Sequence, residues 1–139
     1  MPDDDPAPDE VWALLTRLVM DTREPWKRAV AERTGLPFSR IRILRRLLPG
    51  PLSLNDLART LAMDAPATTV AVNNLEELGL AVREVDLTNR RRKQVSITAA
   101  GRVVLARAMA TPDPAPAAFA ALPPEELRQL RAVLRKIDY

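Results

Sequence analysis

Apolar residues recur every three or four positions over most of this chain. Proline and glycine cut the recurrence into short blocks, which predicts a series of short amphipathic helices. Val11, Leu14, Leu15 and Leu18 form the first stripe. Pro25 interrupts it, because a proline lacks the N–H and clashes with the preceding turn, so the helix should kink or restart there. Trp26, Ala29 and Val30 carry the pattern on to Thr34-Gly35, where glycine suits a left-handed cap. A second helix is expected from about Phe38 to Leu48, with Ile41, Leu44 and Leu48 facing inward and Pro49-Gly50-Pro51 ending it.

The third helix opens at Ser53, with Asp56 at the spacing of a capping box. Its buried stripe should be Leu54, Leu57, Ala58 and Leu61. Asp64 suits the next N-cap and Pro66 is tolerated in a first turn. This fourth helix runs to Leu78 and stops at Gly79. Thr68, Ala71, Val72 and Leu75 form its inward stripe, which leaves Pro66, Thr69, Val70, Asn73, Asn74 and Glu77 on the opposite side. Leu80–Val85 and Gln94–Ile97 read as a hairpin joined by a long polar loop, with Val95 and Ile97 inward. Thr98 should cap a fifth helix to about Ala110. Residues 111–121 are an Ala/Pro linker, and a last helix follows Pro123-Pro124 with Leu127, Leu130, Val133, Leu134 and Ile137 on one side.

At 139 residues the length fits one domain, although its parts differ in task. Residues 1–8 read as a disordered acidic tail. Residues 9–36 and 98–139 form a helical region, and 37–97 a helix pair with its hairpin. Aromatic residues make up only 4% of the chain, so Leu, Val, Ile and Ala must build the core, which favours a mainly α fold with a small β-hairpin.

Cysteine and histidine are absent. That excludes disulfides, thiol nucleophiles, histidine acid–base chemistry and Cys/His metal sites. With four glycines there is no phosphate-cradling loop, and no carboxylate pair assembles. The expectation is a protein that is not an enzyme and holds no cofactor or metal. The acidic start lacks the order of a signal peptide and no run reaches membrane-spanning length, so a cytoplasmic location without membrane contact is expected.

The net charge is only +3, but the positive residues cluster at Arg40–Arg46 and at Arg90-Arg91-Arg92-Lys93. A basic hairpin tip just after a helix pair is how a small domain grips duplex DNA. A solvated hairpin tip is the competing explanation, and the helix pair before it is what favours DNA. Arg59, on the first helix of the pair, suits a phosphate. Arg40, Arg42, Arg45 and Arg46 suit a solvated face. Ser53 and Asp56 suit a cap whose first turn can also offer N–H groups to a phosphate.

Three segments in order resemble the MarR family of winged-helix transcription regulators. Leu52-Ser53-Leu54-Asn55-Asp56-Leu57-Ala58 is similar to the start of the motif's second helix. Thr69 through Leu75-Glu76-Glu77-Leu78-Gly79-Leu80 resembles the recognition helix. Asp86-Leu87-Thr88-Asn89-Arg90-Arg91-Arg92 followed by Val95-Ser96-Ile97-Thr98-Ala99-Ala100-Gly101 resembles the wing and the Leu-Thr-x-x-Gly signature beyond it. The resemblance implies a winged helix-turn-helix with N- and C-terminal dimerisation helices. It also implies a homodimer on a pseudo-palindromic DNA operator, and a repressor of nearby genes released by a small aromatic or phenolic ligand. Arg91 would enter the minor groove with Arg90, Arg92 and Lys93 on phosphates. Trp12 and Trp26 would line a ligand pocket or pack in the dimer. The alternative is a winged-helix module for protein contact without specific DNA binding.

The chain departs from the family pattern at three places. Val70 replaces the arginine common on the recognition helix, and no Lys or Arg occurs between Arg59 and Arg83. Readout then falls to Asn73 or Asn74 on adenine and to Thr69 or Val70 on a thymine methyl. The wing has Asn89-x-Arg91 where Asp-x-Arg is usual. Pro112, Pro114 and Pro116 fall where relatives often carry a long helix.

Overall fold

The computed structural model describes residues 4–138. Helices α1 (Pro8–Thr22) and α2 (Glu24–Thr34) break at Arg23, one residue before the turn that holds Pro25. Gly35 ends α2 at φ 73°, and its N–H bonds to the Ala31 carbonyl. Of the tail expected over 1–8, residues 1–3 lie outside the described range, and Pro8 already begins α1, where a proline's missing N–H costs nothing.

Helix α3 (Phe38–Leu47) buries Ile41, Ile43, Leu44 and Leu47. The expected inner face was wrong at its end: Leu48 is the C-cap and is 45% exposed, and Leu47 is buried in its place. Helix α4 (Leu54–Thr60) and helix α5 (Ala65–Glu77) are capped by Ser53 and Asp64, whose side chains accept from Asp56 N and Ala67 N. Each such cap satisfies one of the donors a helix start leaves open. The turn between them places Ala62 at φ 51°, a left-handed conformation that costs a residue with a Cβ about 1–2 kcal/mol.

The hairpin pairs β1 (Ala81–Val85) with β2 (Lys93–Ile97), Ala81 facing Ile97 and Val85 facing Lys93. Leu80 falls outside the strand because its N–H bonds back to Leu75 O at 2.9 Å and closes α5. The free edge of β2 is partly covered: Leu52 and Val95 exchange both backbone hydrogen bonds, at 3.1 and 2.7 Å. That bridge seats the hairpin beside the start of α4.

Helix α6 (Ala99–Met109) is capped by Thr98, which accepts from Gly101 N and donates to Gly79 O at 2.7 Å. A Cβ on Gly101 would stand 2.1 Å from the Leu80 carbonyl oxygen. The Thr-x-x-Gly spacing therefore has a local cause. Threonine ties the end of the hairpin to the end of α5, and only glycine lets α6 approach that closely. Leu57, Ala71, Val72, Leu75, Val95, Ile97 and Leu105 join the buried residues of α3 in one core. Residues 112–116 are irregular, with one helical turn, α7 (Ala117–Ala120), before α8 (Pro124–Ile137). Neither α1 nor α8 buries a single residue.

Candidate nucleic-acid interface

The inward stripe of α5 is as expected, with Thr68, Ala71, Val72 and Leu75 all buried. The helix thereby turns its other side outward. Pro66 and Asn73 are exposed, Thr69 and Asn74 are half-buried, and Val70 is 61% exposed. The Thr69 hydroxyl donates to Ala65 O at 3.0 Å.

Two arginines from elsewhere reach this face. Arg83 of β1 donates to Asn73 Oδ1, and its Nε lies 2.6 Å from Glu76 Oε1. Both of those facing atoms are buried and neither has another partner. Arg40 of α3 donates through Nε to Asn74 Oδ1 at 3.3 Å. Neither pairing was legible in the sequence. Arg40 and Asn74 are 34 positions apart, and Arg83 meets Asn73 only because the Leu78–Leu80 turn folds β1 back on α5.

The hairpin tip is built by local hydrogen bonds. Asp86 N bonds Arg92 O at 2.9 Å, and the Asp86 carboxylate accepts from both the N–H and the hydroxyl of Thr88. Those bonds, with the Arg92 guanidinium adding to them, hold the Asp86 carboxyl below its ordinary value of 3.8. Asn89 Oδ1 accepts from Arg91 N at 3.2 Å, so the residue that replaces the usual aspartate fixes the arginine's backbone.

The four tip cations divide. Arg90, Arg91 and Lys93 are exposed and form no ion pair among the described residues. Arg92 folds back on α4, donating to Asp56 Oδ2 at 2.8 Å and to Ser53 Oγ at 3.1 Å. Asp56 Oδ1 accepts from Arg59 at 2.7 Å. The capping box that the Ser53–Asp56 spacing suggested is thus half made. Ser53 caps Asp56 N, while the Asp56 carboxylate holds two arginines. Ser53 itself is 7% exposed and Arg59 stands out beside it.

Arg92 ties the hairpin to α4, and Arg83 ties it to α5. A buried helix-turn-helix with a hairpin fastened to both of its helices is a winged helix-turn-helix.

The two tryptophans are not equivalent. Trp26 packs edge-on against Phe38, 5.3 Å between ring centres, with the Arg23 guanidinium 4.7 Å over its ring. It lines a cavity of about 470 Å³ with Pro25, Ala29, Pro112, Asp113 and Pro116. Arg23 pairs with Asp113 beside it. Trp12 is not among the lining residues and is 67% exposed on α1. Among the described residues no helix is long and apolar enough to cross a membrane.

Comparison with known proteins agrees with this architecture. Residues 34–92, from the end of α2 to the latching arginine, match the MarR family. A probable transcriptional regulator from Pseudomonas aeruginosa is 28% identical, with 99% of this chain and 100% of that one covered at a TM-score of 0.61. CouR from Rhodococcus jostii, solved with p-coumaroyl-CoA, is also 28% identical, with 93% and 92% covered at a TM-score of 0.65. A mutant MepR from S. aureus, solved bound to an oligodeoxyribonucleotide, shares the fold at 22% identity, with 91% and 94% covered at a TM-score of 0.61. No curated protein matches in sequence. The winged lobe is thus similar to the MarR family, and the whole chain shares the fold of the solved regulators above.

Proposed function

We propose that this protein is a homodimeric, sequence-specific regulator of transcription that seats α5 in the major groove of an operator and its hairpin tip in the adjacent minor groove. The observation that carries the reading is the fastening of the hairpin to both helices by Arg83 and Arg92 while Arg90, Arg91 and Lys93 stay unpaired. A narrow minor groove concentrates negative potential and attracts an unpaired arginine such as Arg91. Arg90, Lys93 and Arg59 supply phosphate contacts, which give affinity and no sequence information. Thr69, Val70, Asn73 and Asn74 supply the face that meets base edges, with Pro66 at its leading turn. Ser53 and Arg92 hold the wing on α4.

The apolar stripes on α1 and α8 support the dimer. Val11, Leu14, Val133, Leu134 and Ile137 are all exposed in the single chain, more apolar surface than a soluble monomer usually leaves uncovered. Two copies of α5 then address two half-sites, so the operator is pseudo-palindromic. The Trp26 cavity, lined by the end of α1, by α2 and by residues 112–116, suits a small aromatic or phenolic effector whose binding releases DNA. The bound ligand of CouR is a precedent. Released in that way, the protein would act as a repressor of neighbouring genes.

The test is binding to the DNA upstream of its own gene, followed by footprinting. Two protected half-sites about one helical turn apart are expected. Failure to shift that DNA or any competitor at low salt, together with a stable complex with an acidic protein, would instead establish the winged helix as a protein-docking module.

A further inference from the structure

The missing arginine of α5 is compensated from outside the helix, in an unexpected way. Arg40 and Arg83 do not point past the asparagines. They donate to the Oδ1 atoms of Asn74 and Asn73. An asparagine reads adenine with both ends of its amide, Oδ1 accepting from N6–H and Nδ2 donating to N7. Here each carbonyl end already serves a guanidinium, and a positive charge beside it disfavours the approach of another donor. The Arg83 side chain is itself anchored on the buried Oε1 of the half-buried Glu76, which fixes where its remaining N–H groups lie. What Asn73 and Asn74 have left to offer is the Nδ2 pair of N–H donors.

Resting on the DNA-binding reading above, we infer that Arg40 and Arg83 are positioning residues that make the Asn73 and Asn74 amides donor-only readers, selecting guanine and rejecting adenine at the bases they meet. Guanine presents two adjacent acceptors, N7 and O6, in the major groove. Adenine places an amino donor where O6 would be. The arginine that relatives carry on the helix is thus replaced by two that act through amides.

The experiment is selection of bound duplexes from a pool with randomised half-sites, applied to the full-length protein. Asn73→Ala and Asn74→Ala identify which base position each amide reads. The wild type should enrich guanine over adenine there at least about fivefold. Arg40→Met should abolish that preference at one position. Arg83→Met, made with Glu76→Gln so that the Glu76 carboxylate is not left without its partner, should abolish it at the other. Arg83→Lys should restore part of it, and the slope of affinity against salt should stay as in the wild type. If the Arg83 double variant does not fold, Arg40→Met carries the test alone. Adenine enrichment by the wild type, unchanged preferences in the variants, or a uniform loss of affinity with a shallower salt slope would each overturn the inference while leaving DNA binding intact. Enrichment of no sequence by the wild type would remove the DNA-binding reading itself and the inference with it.

Discussion

The winged lobe and the two terminal helices of this chain are built from similar amphipathic stripes, yet they end in opposite states. In the lobe every stripe finds a partner. Leu57, Ala71, Val72 and Leu75 have 0% exposure, and the caps, the Leu52–Val95 bridge and the Thr98 tie satisfy the intervening backbone. In α1 and α8 the stripes are as regular, but Leu134 is 37% exposed, Val133 54% and Ile137 60%. Periodicity shows which side of a helix is apolar, and it does not show whether the cover comes from the same chain or from a second copy. The difference separates a part that folds on its own contacts from a part whose apolar stripes lie uncovered in the single chain.

Damage to the packing of the lobe should have the largest effect. Gly101→Ala drives a Cβ against the Leu80 carbonyl, so at least about 3 kcal/mol of stability should be lost, at the top of the range for overpacking. Leu75→Ala should cost about 2–5 kcal/mol. Urea denaturation checks both, and a variant within about 1 kcal/mol of wild type would show that the core is more forgiving than its packing implies.

The second contrast is sharper in kind. Leu130→Glu with Leu134→Glu should weaken the dimer about 100-fold or more, roughly 3 kcal/mol, and leave the lobe's hydrogen-exchange protection in place. Light scattering gives the mass. A wild-type chain that stays monomeric at micromolar concentration would leave the exposed stripes without this explanation.

Smaller effects probe the joints of the lobe. Ala62→Gly removes the strain of a left-handed alanine and should stabilise by up to about 1 kcal/mol, the glycine's greater unfolded-state freedom offsetting the rest. Asp86 gives the weakest signal. Its folded carboxyl titrates below 3.8, so its contribution is complete at neutral pH and is lost only as acid protonates it. Amide exchange at Thr88 should quicken as pH falls below about 4, after correction for the intrinsic rate, with the core unaffected. Onset at pH 6 would assign the loosening to another group.

These joints also mark where the sequence stops being legible. Ser53, Asp64 and Thr98 announce their helices because a cap is a local event, one side chain on an N–H three residues ahead. The core face of α5 follows from its period. Leu48 misleads because Pro49 ends the helix, and the last apolar residue then falls on the cap instead of the inner face. Arg92 lies in a run of four cations that look alike in sequence. Only the fold puts Ser53 and Asp56 within its reach and leaves Arg90, Arg91 and Lys93 free. The Leu52 bridge has no pattern behind it, since a single paired residue has no period. The roles of Arg40 and Arg83 are tertiary for the same reason.

On the reading proposed above, the wing fastened to the helix pair delivers the unpaired cations Arg90, Arg91 and Lys93 to DNA. Measuring affinity for the operator duplex from 50 to 200 mM salt, for wild type and Arg91→Ala, tests it most directly. With roughly six to ten phosphates neutralised per dimer, wild-type affinity should fall by about three to five decades across that range. Arg91→Ala should bind most sequences more weakly and with a shallower slope. The same affinity and the same slope in both proteins would contradict the claim and remove the hairpin tip from the mechanism.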